Sequence, residues 1–346
     1  DSESVLDADV AAGDDKFASE DSDIIYIGSE AELFAMADNS LADYELTADI
    51  TITDELTDYI VEYYEGCFNG NGHTITYTSS NSKCLFGSLT STAEVKNLNV
   101  YAEITDDMDN AAMIALSSHG KVINCITDGI ITTNSAASGI VLDNSGLISN
   151  CTNNARISGG TKGSASGITS ASSGIIEDCT NNGSIDGDCT SGIAFSNSAE
   201  TTSCINYGTV KGVRSSSGII CTSSADVIDC TNYGQILSYD TIAYVGGITG
   251  DSSGFSSIKN CINYGEINGT GYVGGICGTA KITSGSFFDE NDVLIVNAGN
   301  IVISNCENHG NVIGKSSTTR DACVGGIVGT ADTLNGPISI SSCTNY

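Results

Sequence analysis

The side chains able to make or break bonds are few and scattered. His73, His119 and His309 are the only histidines, and a three-histidine metal centre would have to gather them from across the chain. Fourteen cysteines contain no Cys-x-x-Cys pair, so no zinc or redox spacing is present. Acid–base chemistry would fall to carboxylates. Asp106-Asp107-Met108-Asp109 and Asp289-Glu290-Asn291-Asp292 are the densest clusters beyond the first hundred residues. They are also the places where calcium could bind. A lyase would need such a cluster beside a base, yet Arg156, Arg214 and Arg320 sit apart with no matching acid cluster in sequence. The expectation is a non-enzyme with no cofactor, calcium at the acidic loops being the one candidate ion. The alternative is a carbohydrate-active enzyme, a polysaccharide lyase or hydrolase.

The elements that would position these groups follow from an internal repeat. From about residue 113 onward the unit is Gly-Ile, a Ser/Asp-rich turn, a few β-formers, then Asn/Asp/Ser-Cys-x-Asn-x-Gly. The cysteine recurs at Cys125, Cys151, Cys179, Cys204, Cys230, Cys261, Cys306 and Cys343, with successive spacings of 26, 28, 25, 26, 31, 45 and 37. A leucine-rich repeat would need a leucine ladder and a helix-forming return, and both are missing from these Gly-, Ser-, Thr- and Asn-rich segments. Three short strands per repeat account for the period. The reading is an all-β protein, a right-handed parallel β-helix, with coils stacked about 4.8 Å apart and a rod about 50 Å long.

Stacking turns each repeat position into a column. The cysteines become a column of small apolar side chains in a narrow interior. Asn153, Asn181, Asn206, Asn232, Asn263 and Asn308, with Asn345, become an amide ladder running along the stack. Gly129, Gly183, Gly208, Gly234, Gly265 and Gly310 follow, at a position expected to need positive φ, with Ala155 as the exception. Between the Asn and Gly columns stand Tyr207, Tyr233, Tyr264, His309 and Tyr346, a vertical ring stripe that could take sugar faces or a protein partner. Cys67, Cys84, Cys189, Cys221, Cys277 and Cys323 lie off the column and are the disulfide candidates.

Three regions follow: an acidic arm at 1–23, an N-terminal cap with irregular first coils at 24–112, and regular β-helix at 113–346 with an insertion near 279–300. Residues 1–65 carry 20 of the 43 acids and a single cation, Lys16. Ser29-Glu30-Ala31-Glu32 matches a capping box, and Leu33, Met36 and Ala37 follow at helical spacing, predicting a short capping helix. Tyr44–Ile52 reads as a strand.

Tyr44–Ile52, Phe68-Asn69-Gly70-Asn71-Gly72-His73-Thr74-Ile75, Leu85-Phe86-Gly87 and Val95-Lys96-Asn97-Leu98 occur in an order that resembles the GLUG-motif surface proteins of gut bacteria. Cys84 stands where that family usually has Gly. The resemblance spans roughly residues 24–346. It implies a β-helix displayed outside the cell, commonly linked to adhesion, and no single chemistry.

A net charge of −31 excludes nucleic acid, which needs clustered cations, and disfavours anionic membranes. No apolar run approaches the ~20 residues of a membrane span. The function expected is a non-catalytic extracellular or cell-surface solenoid, adhesive or structural. Its partners would be a host or cell-surface protein, a glycan, or other copies of itself. Cys343-Thr344-Asn345-Tyr346 stops in mid-repeat, so an end-to-end filament is a further expectation, with Val5–Val10 or Ile24–Ile27 docking on a neighbour's open coil. Solenoids absorb insertions at turns, so the stretch around Phe287-Phe288 and Val293–Val296 should be a hairpin or extra strand on the flank. A chain lacking 281–298 is expected to keep its far-ultraviolet circular dichroism and a cooperative melt; loss of both would place the insert in the core.

Overall fold

The structure is a computed structural model that describes residues 24–106, 109–239, 243–282, 285–288, 294–297, 300–316, 321–333 and 337–346. Nearly all of it is one parallel β-solenoid. Each coil runs through three sheets in turn. Among the described residues the first sheet holds 12 strands, from Ile25–Ile27 to Ile338–Ser341, and the third holds 10, from Val61–Tyr64 to Val328–Thr333. The second sheet gathers 23 shorter strands, because a coil contributes two or three pieces to it. The strands of all three sheets pair in parallel, and register is kept from coil to coil: Val95 lies beside Val122, Val122 beside Ile148, and Ile148 beside Ile176. No break separates 24–112 from the regular array, since the first sheet runs through both.

The corner between the first and second sheets explains the Asn/Asp/Ser-Cys pair. Asn124, Asn150, Asp178, Ser203, Asp229, Asn260, Asn305 and Ser342 all have φ between 51° and 55°, the left-handed region. Asn and Asp tolerate that region best among residues with a Cβ. The cysteine that follows turns inward and is fully buried from Cys125 to Cys306. Its thiol lies 3.2–3.4 Å from the carbonyl two residues earlier, as in Cys204 to Thr202 and Cys261 to Lys259. Burial drives the thiols of Cys125, Cys151, Cys204 and Cys261 well above their ordinary range.

Two residues on, the asparagines form the expected ladder inside the coil. Each Nδ2 donates to the Oδ1 of the next: Asn153 to Asn181 at 2.7 Å, Asn181 to Asn206 and Asn206 to Asn232 at 2.8 Å, Asn232 to Asn263 at 2.7 Å, Asn263 to Asn308 at 2.8 Å and Asn308 to Asn345 at 2.7 Å. The same Nδ2 also donates to the carbonyl two residues ahead, at 2.9 Å for Asn206 to Gly208. At the other end the Thr127 hydroxyl donates to Asn153 Oδ1 at 3.2 Å.

The glycine column has a different cause from the one expected. Only Gly129 has positive φ. At Gly208 a Cβ would lie 1.9 Å from the Gly183 carbonyl oxygen of the preceding coil, so bare backbone is needed for close approach. The glycine of Gly-Ile serves the amide ladder: a Cβ on Gly192 would meet Asn206 Cγ at 2.5 Å.

Further differences are local. Tyr44–Ile52 is two strands, Tyr44–Leu46 in the first sheet and Ile50–Thr51 in the second, with a turn between them. Asp49 in that turn accepts from the Thr74 backbone at 2.9 Å, a bond that holds its carboxyl low, and from the His73 ring at 3.3 Å. The capping helix α1 is Glu30–Phe34, continued by a 3-10 turn at Ala35–Asp38. Ser29 Oγ accepts from Glu32 N at 3.4 Å, and the Glu32 carboxylate accepts from Gly28 N at 2.9 Å, closing the capping box. Leu33 and Met36 are buried; Ala37 is exposed. The insert forms an antiparallel hairpin, Gly285–Phe288 against Leu294–Asn297. Ile25–Ile27 pairs with Tyr44–Leu46 of its own solenoid, so it is not a free docking arm, and residues 1–23 lie outside the described residues.

Within one coil, Asn206→Ala and Cys204→Ser separate the two columns. The first leaves Asn181 without its acceptor and Asn232 without its donor and should lower stability by about 3 kcal/mol. The second keeps a donor near the Thr202 carbonyl and should cost about 1 kcal/mol. Urea midpoints of the two variants would show it; equal losses would mean that the amide ladder adds nothing beyond packing.

Candidate functional site

The ring stripe exists. Tyr207 and Tyr233 stack with centroids 5.0 Å apart and planes 6° from parallel, and Tyr233 and Tyr264 repeat that geometry. Tyr264 meets His309 at 4.8 Å and 17°, and His309 meets Tyr346 at 4.2 Å and 10°. The Glu307 carboxylate anchors the His309 Nε2 at 2.9 Å. Toward the N-terminus the column continues in amides, Asn182 Nδ2 donating to Asn154 Oδ1 at 2.8 Å. The second sheet carries these residues outward because the Asn before each ring points inward, as alternation along a strand requires.

The stacking decides what the stripe can bind. Ring faces within the column are turned toward one another, so a sugar cannot lie flat on Tyr233 or Tyr264. Between stacked rings only edges and hydroxyls reach solvent, with Tyr264 at 43% exposure, whereas Tyr346, stacked on one side, is 71% exposed. The expected sugar-face binding is therefore corrected for the inner rings, which offer only a narrow edge of mixed polarity. A second, shorter stack escaped notice in the sequence, Tyr244 on Tyr272 at 5.6 Å and 9°. Its signal was the repeated Tyr-Val-Gly-Gly-Ile phrase at 244–248 and 272–276.

The third sheet presents a different surface. Three residues after the Ile or Leu that leads into each third-sheet strand, one outward side chain per coil stands in register: Tyr63 beside Ser88, then Ser117, Asp143, Ala171, Ser196, Thr222 and Asp251. Small side chains leave this face hollow. A depression of about 380 Å³ is lined by Ser117, His119, Asp143, Asn144 and Ser196 among others. Toward the N-terminus one of about 340 Å³ lies against Tyr59–Tyr63, and one of about 300 Å³ lies on the turn entering the third sheet, lined by Asn81, Ser82, Lys83 and Asn110. Lys83 sits over the Tyr59 ring at 4.2 Å. Partial burial raises the Asp143 carboxyl above its usual range, and burial does the same to Asp251, partly opposed by Lys281.

The histidines are not brought together: His73 faces Asp49, His309 faces Glu307, and His119 lines the trough. Arg214 is paired after all, its Nε 2.8 Å from both oxygens of buried Asp188 on the preceding coil; two single residues 26 apart gave no cluster for sequence to show. Arg156 is exposed. All fourteen cysteines are free, which removes the disulfide expectation for Cys67, Cys84, Cys189, Cys221, Cys277 and Cys323. Burial lifts the Cys84 and Cys277 thiols to about 12. Among the described residues no three His, Cys, Asp or Glu side chains are grouped to hold a metal. Residues 107–108 and 289–292 of the acidic loops lie outside the described residues.

No protein-family model matches the sequence, and comparison with curated proteins gives no match. Among solved structures the chain is similar to one from Bacteroides ovatus described as "a putative immunoglobulin A1 protease", with a TM-score of 0.52, 18% identity and 84% of each chain covered. At that identity the likeness speaks for the solenoid fold alone.

Tyr233 has a ring on both sides and Tyr346 on one. Tyr233→Ala should therefore lower stability by about 1–3 kcal/mol and Tyr346→Ala by about half as much, at roughly 0.5–1.5 kcal/mol per stacked pair. Urea denaturation of both variants tests this, and equal losses would remove stacking as the cause.

Proposed function

We propose that this chain is a non-catalytic extracellular β-solenoid with an adhesive or structural role, a rod that displays binding surfaces. The observation behind this reading is the five-ring stripe, continuous over consecutive coils and open along its edges. A one-dimensional array of that kind repeats a weak contact many times, which suits avidity rather than turnover. The core points the same way. Its amides and thiols are committed to the stack, amides to amides and thiols to carbonyls. The order of motifs resembling GLUG-type surface proteins supports the same placement outside the cell.

A second reading, a carbohydrate-active enzyme, has one observation in its favour: His119 and the raised Asp143 carboxyl share one depression. The two readings part under one protocol. Intact source cells treated with a membrane-impermeant biotin reagent should label this chain, and the purified chain should leave soluble polysaccharides at their original length. Labelling only after lysis would overturn the surface reading. Shortening that disappears in Asp143→Asn would overturn the non-catalytic one.

A further inference from the structure

We propose that the hollow along the third sheet is a binding trough for an uncharged polysaccharide strand lying parallel to the solenoid axis. This inference rests on the reading of the chain as a non-catalytic binding solenoid and gives it a site and a ligand class.

The shape comes first. The outward column runs in register on a single face from Tyr63 to Ser196, and the depression of about 380 Å³ spans its coils from Ser117 to Ser196. Coils repeat about every 4.8 Å, close to the length of one pyranose residue in an extended chain. A polysaccharide laid along the axis would therefore meet an equivalent side chain at each sugar. A compact ligand would make no use of the repeat.

The lining fits a polyol. Ser117, Ser173 and Ser196 offer hydroxyls, and His119 adds a ring nitrogen. Among the described residues no hydrogen bond or ion pair reaches Asp143, so its two oxygens are free to accept from adjacent sugar hydroxyls. The Asp143 side chain is exposed, so sugar hydroxyls can reach its carboxylate directly. Tyr63 supplies what the inner rings of the stripe on the second sheet lack. It is 61% exposed, and its in-register neighbour is Ser88, too small to cover a ring face. A sugar can lie flat on it.

Charge selects the class of polymer. Asp58, Glu62, Asp109 and Asp143 line the three depressions, while their one cation, Lys83, is held over Tyr59. With a net charge of −31 behind them, a uronate or sulfated chain is repelled and a neutral one is not. An extended peptide is also a poor occupant. From Phe86–Leu89 onward the strands under the trough are paired on both sides, and a peptide added at the free edge of Val61–Tyr64 would lie across the axis rather than along it.

The test is affinity electrophoresis of the intact chain in gels containing mixed-linkage β-glucan, arabinoxylan, galactomannan, dextran or amylose, with polygalacturonate as the anionic comparator. Retardation by at least one neutral polymer and none by polygalacturonate is expected. Asp143→Asn should weaken that binding about tenfold or more, through loss of hydrogen bonds to a charged acceptor. Tyr63→Ser should weaken it about fivefold. Tyr233→Ser, on the other sheet, should leave it within about twofold. The inference is overturned if none of the five neutral polymers binds, if polygalacturonate binds equally well, or if both trough variants keep wild-type affinity with unchanged urea midpoints. Polymer length after incubation separates this inference from the reading beneath it: shortening by a chain that binds through Asp143 would sink the non-catalytic role and leave the trough standing. An absence of binding would sink the trough and leave the rod's surface role to the cell-labelling experiment.

Discussion

An asparagine side chain sealed inside a protein must place two donors and an acceptor, and an apolar wall offers none of them. Here the solution is another asparagine directly above. Asn206 accepts from Asn181, donates to Asn232 and donates again to the Gly208 carbonyl, all within 2.8–2.9 Å. The arrangement tolerates little slippage, because a shift of one residue along the strand would turn the amide outward. Register is thus fixed at one point of the coil, and the rest adapts. The longer intervals bear this out. Extra residues enter near 239–243, in the hairpin region and around 316–322, and none falls between a column cysteine and its asparagine.

The same register governs both surfaces, and side-chain size then makes them opposites. Where the outward column holds rings, each ring covers the next and the stripe closes into a stack with only edges free between its ends. Where it holds Ser, Thr, Ala and Asp, nothing covers the column and a trough opens. One geometric rule yields a ridge on the second sheet and a hollow on the third. Neither is visible from composition, since both depend on which residues are neighbours across coils rather than along the chain.

That distinction sets what the sequence made legible. Period, sheet class, buried cysteines and amide ladder were readable because they recur at fixed spacing, and recurrence is what stacking converts into contact. The capping helix was readable from Ser29 and Glu32, a purely local signal. The glycine column was located correctly and explained wrongly: its reason is the Gly183 carbonyl 1.9 Å from where a Cβ would stand, a distance set by the adjacent coil. The left-handed corner was written in the Asn, Asp or Ser before each cysteine, a signal present in the motif and left unused. Asp188 with Arg214 was beyond reach, because a pair formed once has no period.

The interior also explains why chemistry, if any, must sit outside. The space between the three sheets is filled, by Cys, Ser and Ala at some columns and by larger aliphatics at others, such as Ile148 and Ile176 on the first sheet, Ile157 and Ile236 on the second and Ile140 at the Gly-Ile corner. Tyr64, Phe68, Tyr77 and Phe86, the largest buried rings, are confined to the first coils beside the cap, where the regular ladder has not begun. Further along, even hydroxyls are crowded: those of Ser138, Ser217 and Thr249 are buried without a partner. With the interior packed by these columns, a substrate would be met from outside. Variation free of folding constraints is therefore restricted to the outward columns and the inserted turns, and on this chain those are the ring stripe, the hydroxyl trough and the hairpin at 285–297.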